Sequence, residues 1–347
     1  MYKTFCLLIL SNFVFQKIHK HLVMVKIGLI GAGHLGKIHL KLLKNIKLAK
    51  LVGFYDIDEA TRKNVEKELE VKAYKSLDEL LDHCDAVDIV TPTTTHFEIA
   101  KKLIKKQKHI FIEKPVASSS KEAEELVKLS YEAGIKAQIG HVERFNPAFI
   151  SAKEYINNPK FIEIHRLAQF NPRGTDVSVV YDLMIHDIDL VLNIFNSTIK
   201  KISASGVTVV SDTIDIANAR LEFVNGAVAN ITSSRISLKK MRKMRLFQKN
   251  AYISIDFLDK KVEIIKMKDV KKQDNPFGLY FDTTKGKKQI YYITPEIKEN
   301  NAIMEELNEF CKSIVYDTTP PVGIEEGSKA IKVAEEINYQ IQKQYIA

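Results

Sequence analysis

Lys26-Ile27-Gly28-Leu29-Ile30-Gly31-Ala32-Gly33-His34-Leu35-Gly36 decides the fold. An apolar run of strand length, Val25–Ile30, enters a G-x-G-x-x-G turn, and an amphipathic stretch, Leu35–Leu43, continues as a helix. The glycines divide the steric work. Gly31 makes the tight turn, Gly33 lets backbone approach a pyrophosphate, and Gly36 lets helix and strand pack closely. The N–H groups of the helix start at His34 and Leu35, with the positive end of the helix dipole, suit phosphate oxygens. The next strand, Leu51–Tyr55, ends at Asp56, 20 residues beyond Gly36. An acid there accepts hydrogen bonds from adenine-ribose hydroxyls. Residue 57 is isoleucine rather than arginine, so NAD is expected over NADP.

Outward from this stretch, strand and helix alternate as far as Val142. Apolar runs at Val25–Ile30, Ala49–Tyr55, Ala86–Thr91, His109–Ile112 and Lys136–Ile139 are separated by amphipathic segments. Uniformly apolar strands between amphipathic helices predict a doubly wound parallel sheet, a Rossmann domain over 24–142. Past Pro147 the rhythm changes. A helix at Ala148–Ile156, a strand at Phe161–Ala168 and a long helix over Asp182–Phe195 precede several strands. Asn225-Gly226 predicts a two-residue type I′ hairpin between Ala217–Val224 and Ala227–Ser233. Two helices, Ala302–Ile314 and Glu325–Gln342, close the chain. The expectation for 143–347 is an α+β substrate-binding domain with a mostly antiparallel open sheet, its last helices able to pack back on the first domain.

Two domains also suit a chain of 347 residues. Hydrophobic content of 45% and charged content of 27% are globular, and no apolar run reaches a membrane span, so no membrane partner is expected. Three scattered cysteines, Cys6, Cys84 and Cys311, form neither a disulfide framework nor a metal-ligand spacing. This suits a reducing, cytoplasmic setting without a metal. Residues 1–23 imitate a signal peptide weakly, with Phe5–Phe15 behind Lys3, but no small-residue cleavage site follows and Met24 stands directly before the first strand. They read as a non-native or disordered extension. The net charge of +9 is dispersed. Its densest part, Arg235–Lys249, is interrupted by Met241, Met244, Leu246 and Phe247, which reads as a charged strand on a sheet rim rather than a nucleic-acid surface.

Three further segments carry chemistry. Thr91-Pro92 with His96 and Glu113-Lys114-Pro115 each follow a Rossmann strand, at the edge where ligands bind. Asp182-Leu183-Met184-Ile185-His186 places an acid and a histidine four apart, on one helix face. Each has a bland reading: a solvated lysine, or a structural Asp–His pair. Together, and with Gly327-x-x-Ala330 in the closing helix, they resemble the glucose–fructose oxidoreductase, inositol dehydrogenase and MocA family from about Val25 to the end. The resemblance implies an NAD-dependent dehydrogenase of CH–OH groups. Within it, His186 is the base, Lys114 hydrogen-bonds the reacting oxygen or substitutes as base, and Asp182 orients them. Gly31, Gly33, His34, Leu35, Gly36, Asp56, Thr91, Pro92, His96, Glu113 and Lys114 face the cofactor.

One departure bears on the substrate. Many members have glycines before and within the D-x-G-x-H motif, whereas this chain has Ser178-Val179-Val180-Tyr181 and Met184. Arg144 and Asn146 of Gly140–Pro147, with Arg166 and Arg173 beyond, are candidate substrate contacts. Arg144-Phe145-Asn146-Pro147 with Asp182–Asp189 resembles the branch that oxidises the 3-hydroxyl of UDP-linked N-acetyl sugars such as UDP-N-acetylglucosamine, in lipid A or polysaccharide synthesis. Two alternatives stay open: a dehydrogenase of a free sugar, polyol or inositol, and a non-catalytic NAD sensor. Strands Ile214–Phe223 and Ala227–Ile231 read as apolar or small on both faces, predicting a homodimer or homotetramer through the second sheet.

Overall fold

The computed structural model describes residues 24–171, 175, 177–270, 278–284 and 286–346. The expectations for residues 1–23 and for Arg173 lie outside this set. The chain forms two compact units, one running to Gly140 with Ile303–Glu325 added, the other His141–Ala302 with Glu326 onward.

The first unit contains β1 (Val25–Ile30), α1 (His34–Leu43), β2 (Ala49–Tyr55), α2 (Glu59–Leu69), α3 (Leu77–Leu81), β3 (Ala86–Ile89), α4 (Thr93–Lys105), β4 (His109–Glu113), α5 (Ser120–Ala133) and β5 (Ala137–Gly140). All strands pair in parallel, in the order β2-β1-β3-β4-β5. Every residue of β3 and β5 is buried, as a sheet covered on both faces requires. Helix starts are set locally: Asp58, Ser76 and Ser119 accept hydrogen bonds from Thr61, Glu79 and Glu122 N–H. Strand order reverses beside β1, so the glycine turn stands at the switch point where such sheets bind ligands. Of the two closing helices, α8 (Ala302–Val315) belongs to this unit, with Leu307, Phe310 and Cys311 in the core beside Ile27, Leu29 and Phe111.

The second unit opens with a 3₁₀ turn (Val142–Phe145) and α6 (Pro147–Lys153), then β6 (Phe161–Leu167), a π turn (Val180–Met184) and α7 (Ile185–Phe195). Its other strands are β7 (Ile199–Val207), β8 (Ile216–Phe223), β9 (Val228–Ser234), β10 (Met241–Gln248), β11 (Ala251–Asp256), β12 (Lys261–Asp269), β13 (Leu279–Thr283) and β14 (Gly286–Ile293), and α9 (Ile324–Ile346) closes the chain. The sheet runs β13-β14-β12-β11-β10-β6-β9-β8-β7, antiparallel except for β6 against β9. Its buried face meets α6, α7 and α9 in one core that includes Phe149, Ile188 and Ile337. No helix among the described residues is long and apolar enough to cross a membrane.

Three sequence expectations change here. The β8–β9 loop has three residues, because Gly226 N–H bonds Phe223 O and Phe223 N–H bonds Ala227 O, with Gly226 alone at positive φ (78°). That is a type I turn closed by a left-handed glycine, a common three-residue hairpin. The basic strand β10 is central rather than a rim, because its charges pair across strands: Arg245 with Glu163 at 2.9 Å and Lys243 with Asp256 at 3.1 Å. The outer faces of β8 and β9 are polar, carrying Asn218, Arg220, Glu222, Asn230 and Thr232. The apolar outer surface lies elsewhere, as an in-register row across five strands: Phe161, Phe247, Tyr252, Ile265 and Tyr292.

Candidate active site

In the first unit the site grows from the glycine turn. Gly31 has φ +94°, and a Cβ there would stand 2.5 Å from Val90 O. A Cβ on Gly36 would stand 1.9 Å from Gly31 O. Gly33 differs: a Cβ would meet nothing within 4 Å, so the turn is tight below and open at the residue that heads α1. No side chain caps α1, which leaves the His34 and Leu35 end of the helix for a ligand's phosphates. Asp56 lies against the same turn, its Oδ2 accepting Ala32 N–H at 2.7 Å and its Oδ1 accepting Asp58 N–H at 2.9 Å. Open backbone, an uncapped helix start and an acid beside them fit the diphosphate and ribose of NAD.

Arg62 has no signature in the sequence, yet it belongs to this corner of the site. Its guanidinium donates to the carbonyl oxygens of Asp56 (2.6 Å) and Ile57 (3.2 Å), so a cation stands beside Asp56 although residue 57 is not arginine. NAD should still bind more tightly than NADP, because the Asp56 carboxylate repels a 2′-phosphate. Replacing Asp56 with serine should narrow the preference in paired titrations of the two cofactors, with Arg62 then serving the phosphate. Tighter NADP binding by the unaltered protein would contradict this.

Thr91 packs against the turn, its methyl 2.9 Å from where a Gly31 Cβ would stand, and its hydroxyl accepts from Thr95 Oγ1 at 2.8 Å. Pro92 heads α4. His96 is not free to meet a cofactor. It is buried, with both ring nitrogens 2.8 Å from carbonyl oxygens, those of Thr91 and Pro115. It braces two strand-end loops to each other; burial lowers its pKa, against the two carbonyl contacts, which raise it. Glu113 ends β4, its Oε2 accepting the N–H of Lys114 at 3.2 Å, and Lys114-Pro115 is a cis peptide.

In the second unit, Ser178 starts the helix that carries Asp182 and His186: its Oγ accepts Val180 N–H at 3.2 Å and its carbonyl accepts Asp182 N–H at 3.1 Å. Asp182 lies in the π turn and His186 in the first turn of α7. A π turn closes i to i+5, so residues four apart still share a face, and such turns recur at functional sites. Both side chains are partly exposed. His141, to which the sequence assigns no role, is buried and meets His186 edge-on, ring centroids 6.4 Å apart at 85°. A histidine directly after the last Rossmann strand is the signal that could have found it.

The three predicted substrate contacts that the structure describes are engaged inside the second unit. Arg144 holds Asp189 through two bonds, 2.6 and 2.7 Å. Arg166 is buried, holding Asp187 at 2.9 and 2.7 Å and Glu143 at 2.9 Å. Asn146 caps α6 through Ala148 N–H and donates to Glu143 Oε2 and Phe257 O. A buried guanidinium that bridges two carboxylates has no donor fork left for a diphosphate. Arg144 and Arg166 thus tie α7 to the start of the second unit and to β6, while Asn146 caps α6, so the structure engages all three within the fold.

Fold and site define a two-unit oxidoreductase that uses a nicotinamide dinucleotide. Residues 25–141 match the oxidoreductase family model with an NAD-binding Rossmann fold, and residues 156–254 match the GFO/IDH/MocA C-terminal domain. The chain belongs to the glucose–fructose oxidoreductase, inositol dehydrogenase and MocA family. A UDP-N-acetylglucosamine 3-dehydrogenase of Acidithiobacillus ferrooxidans is 37% identical over 70% of this chain and 77% of its own. A solved structure of that enzyme superposes with a TM-score of 0.83 and 30% identity, covering 93% of this chain and 99% of the other. A myo-inositol 2-dehydrogenase of Thermotoga maritima is 26% identical over 88% of this chain and 93% of its own.

Proposed function

We propose that this NAD-dependent dehydrogenase oxidises the 3-hydroxyl of a UDP-linked N-acetylhexosamine, with UDP-N-acetylglucosamine the first candidate. The observation that carries this is the higher identity to the Acidithiobacillus enzyme than to the inositol dehydrogenase, together with a near-complete structural match. Met184, where the family resemblance implies the inner glycine, agrees with a substrate other than a small polyol. Bound NAD supplies the hydride acceptor. His186 takes up the hydroxyl proton, Lys114 donates a hydrogen bond to the oxygen as it becomes a carbonyl, and Asp182 orients the histidine. Buried, unpaired Cys84 and Cys311 accord with a cytoplasmic enzyme. In an assay of NADH formation over UDP-sugars, free sugars and inositols, UDP-N-acetylglucosamine should give the highest kcat/KM. A higher value with a free inositol would overturn the assignment.

The same proposal includes a homodimer or homotetramer joined through the outer face of the second sheet. What supports it is the row Phe161–Phe247–Tyr252–Ile265–Tyr292, in which Phe247 is 40% and Tyr292 63% exposed. An exposed apolar row on a flat sheet is a common mark of association. Light scattering at micromolar concentration should give a multiple of the chain mass, and Phe247→Glu with Tyr292→Lys should reduce it. A monomeric unaltered protein would contradict the idea.

A further inference from the structure

Beneath the glycine turn, a buried polar group lies outside the roles assigned so far. His39 of α1 is fully buried, its Nδ1 2.9 Å from Asp88 Oδ2 on β3 and its Nε2 3.4 Å from Glu113 Oε1 on β4. Glu306 of α8 brings a third carboxylate within 4.8 Å of the His39 and Glu113 ring and oxygen atoms, and Gln138 of β5 donates to the Glu306 carbonyl at 2.7 Å. The Phe111 ring closes one side of His39, 6.1 Å away and edge-on. The Glu113 carboxylate is clamped: a Cβ on Gly140 would come within 2.8 Å of its Oε1, and its Oε2 accepts the N–H of Lys114.

We propose that His39 is a positioning residue for the dehydrogenase reaction: it fixes the Glu113 carboxylate, and through it the backbone turn that presents Lys114. The inference rests on the reading that Lys114 meets the reacting oxygen. One ring stands between two carboxylates on neighbouring strands, its Nδ1 hydrogen-bonded to Asp88 and its Nε2 at ion-pair distance from Glu113, without hydrogen-bond geometry there. The charge state agrees. Burial pushes the His39 pKa down, but the charge and hydrogen bond of Asp88, then Glu113, carry it well above 6.5. The groups facing this ring are Asp88, whose own pKa burial raises, Glu113 and Glu306, with the Cys311 thiol of α8 near Asp88, pushed up by burial to about 12. Pulling the carboxylate out of place would shift the Lys114 amide by a fraction of its hydrogen-bond length, and misplacing a reacting group by about 1 Å costs up to about a hundredfold.

Two side chains of different reach separate this role from simple core packing. Glutamine can place an N–H near the Nε2 position, facing Glu113, whereas asparagine reaches only Asp88. His39→Asn should lower kcat by about tenfold or more with the KM for NAD nearly unchanged, and His39→Gln should recover most of the loss. In a Lys114→Ala background, His39→Asn should cost nothing further, because both changes then act at one place. A readout without turnover is the modification rate of Lys114 by an amine reagent, followed by mass spectrometry of its peptide. His39→Asn should change that rate and its pH midpoint, and His39→Gln should restore them. If His39→Asn does not fold, Glu113→Gln takes its place in the same cycle. A Lys114→Ala enzyme of normal turnover would overturn the Lys114 reading itself. A slow Lys114→Ala enzyme in which His39→Asn costs its full factor again, or a Lys114 reactivity that His39→Asn leaves unmoved in the otherwise unaltered enzyme, would overturn the positioning role alone.

Discussion

His186→Ala should lower kcat by ~10²- to 10⁴-fold, the range expected when a general base is lost. NAD affinity should stay close to that of the unaltered enzyme, because His186 lies on α7 in the second unit while the glycine turn and Asp56 belong to the first. Lys114→Ala should also be slow. It should disturb NAD binding more, because Lys114 follows directly on β4 at the ligand-binding edge of the Rossmann sheet. The decisive measurement is kcat/KM against pH for the unaltered enzyme and both variants, with the best UDP-sugar as substrate. The unaltered profile should rise with the deprotonation of one group, and His186→Ala should lose that limb. A near-normal His186→Ala enzyme beside a dead Lys114→Ala enzyme would make lysine the base. If both stay active, neither motif is the reacting centre.

Sterically dictated features were legible in the sequence. A turn in which a Cβ on Gly36 would collide with Gly31 O admits only glycine, so that motif and its strand could be recognised from residues alone. The parallel strands were legible too, because burial on both faces favours apolar residues at most positions. Partnership between distant polar residues was not. Nothing in the chain order shows that β6 lies across from α7, so an arginine that meets Asp187 reads like one that meets a diphosphate. The central place of β10 was hidden for the same reason, since its charges look unneutralised until Glu163 and Asp256 face them across neighbouring strands. His39 went unread because a histidine within an amphipathic helix says nothing about the acids on β3 and β4 that enclose it.

The buried arginine gives the second large expectation. Arg166→Met should destabilise the second unit by about 3–5 kcal/mol, because it leaves the Asp187 carboxylate buried without its ion-pair partner, while Glu143 keeps only Arg242 at 3.5 Å. Lost packing is a smaller part of this, since methionine fills much of the arginine stem's volume. The pH dependence carries the test. Burial raises the Asp187 pKa in the native protein and Arg166 opposes it, so removing the arginine raises it further. A carboxyl whose folded pKa exceeds its unfolded value of about 3.9 destabilises increasingly as pH rises from that unfolded value through the folded one. The deficit of Arg166→Met should therefore shrink as pH falls from neutral toward that range, and adding Asp187→Asn with Glu143→Gln should recover part of it at pH 7. Thermal unfolding across pH, with and without the two added changes, measures all of this. An Arg166→Met protein as stable as the parent, with a raised KM for the UDP-sugar and nothing else altered, would return Arg166 to the role of a substrate contact.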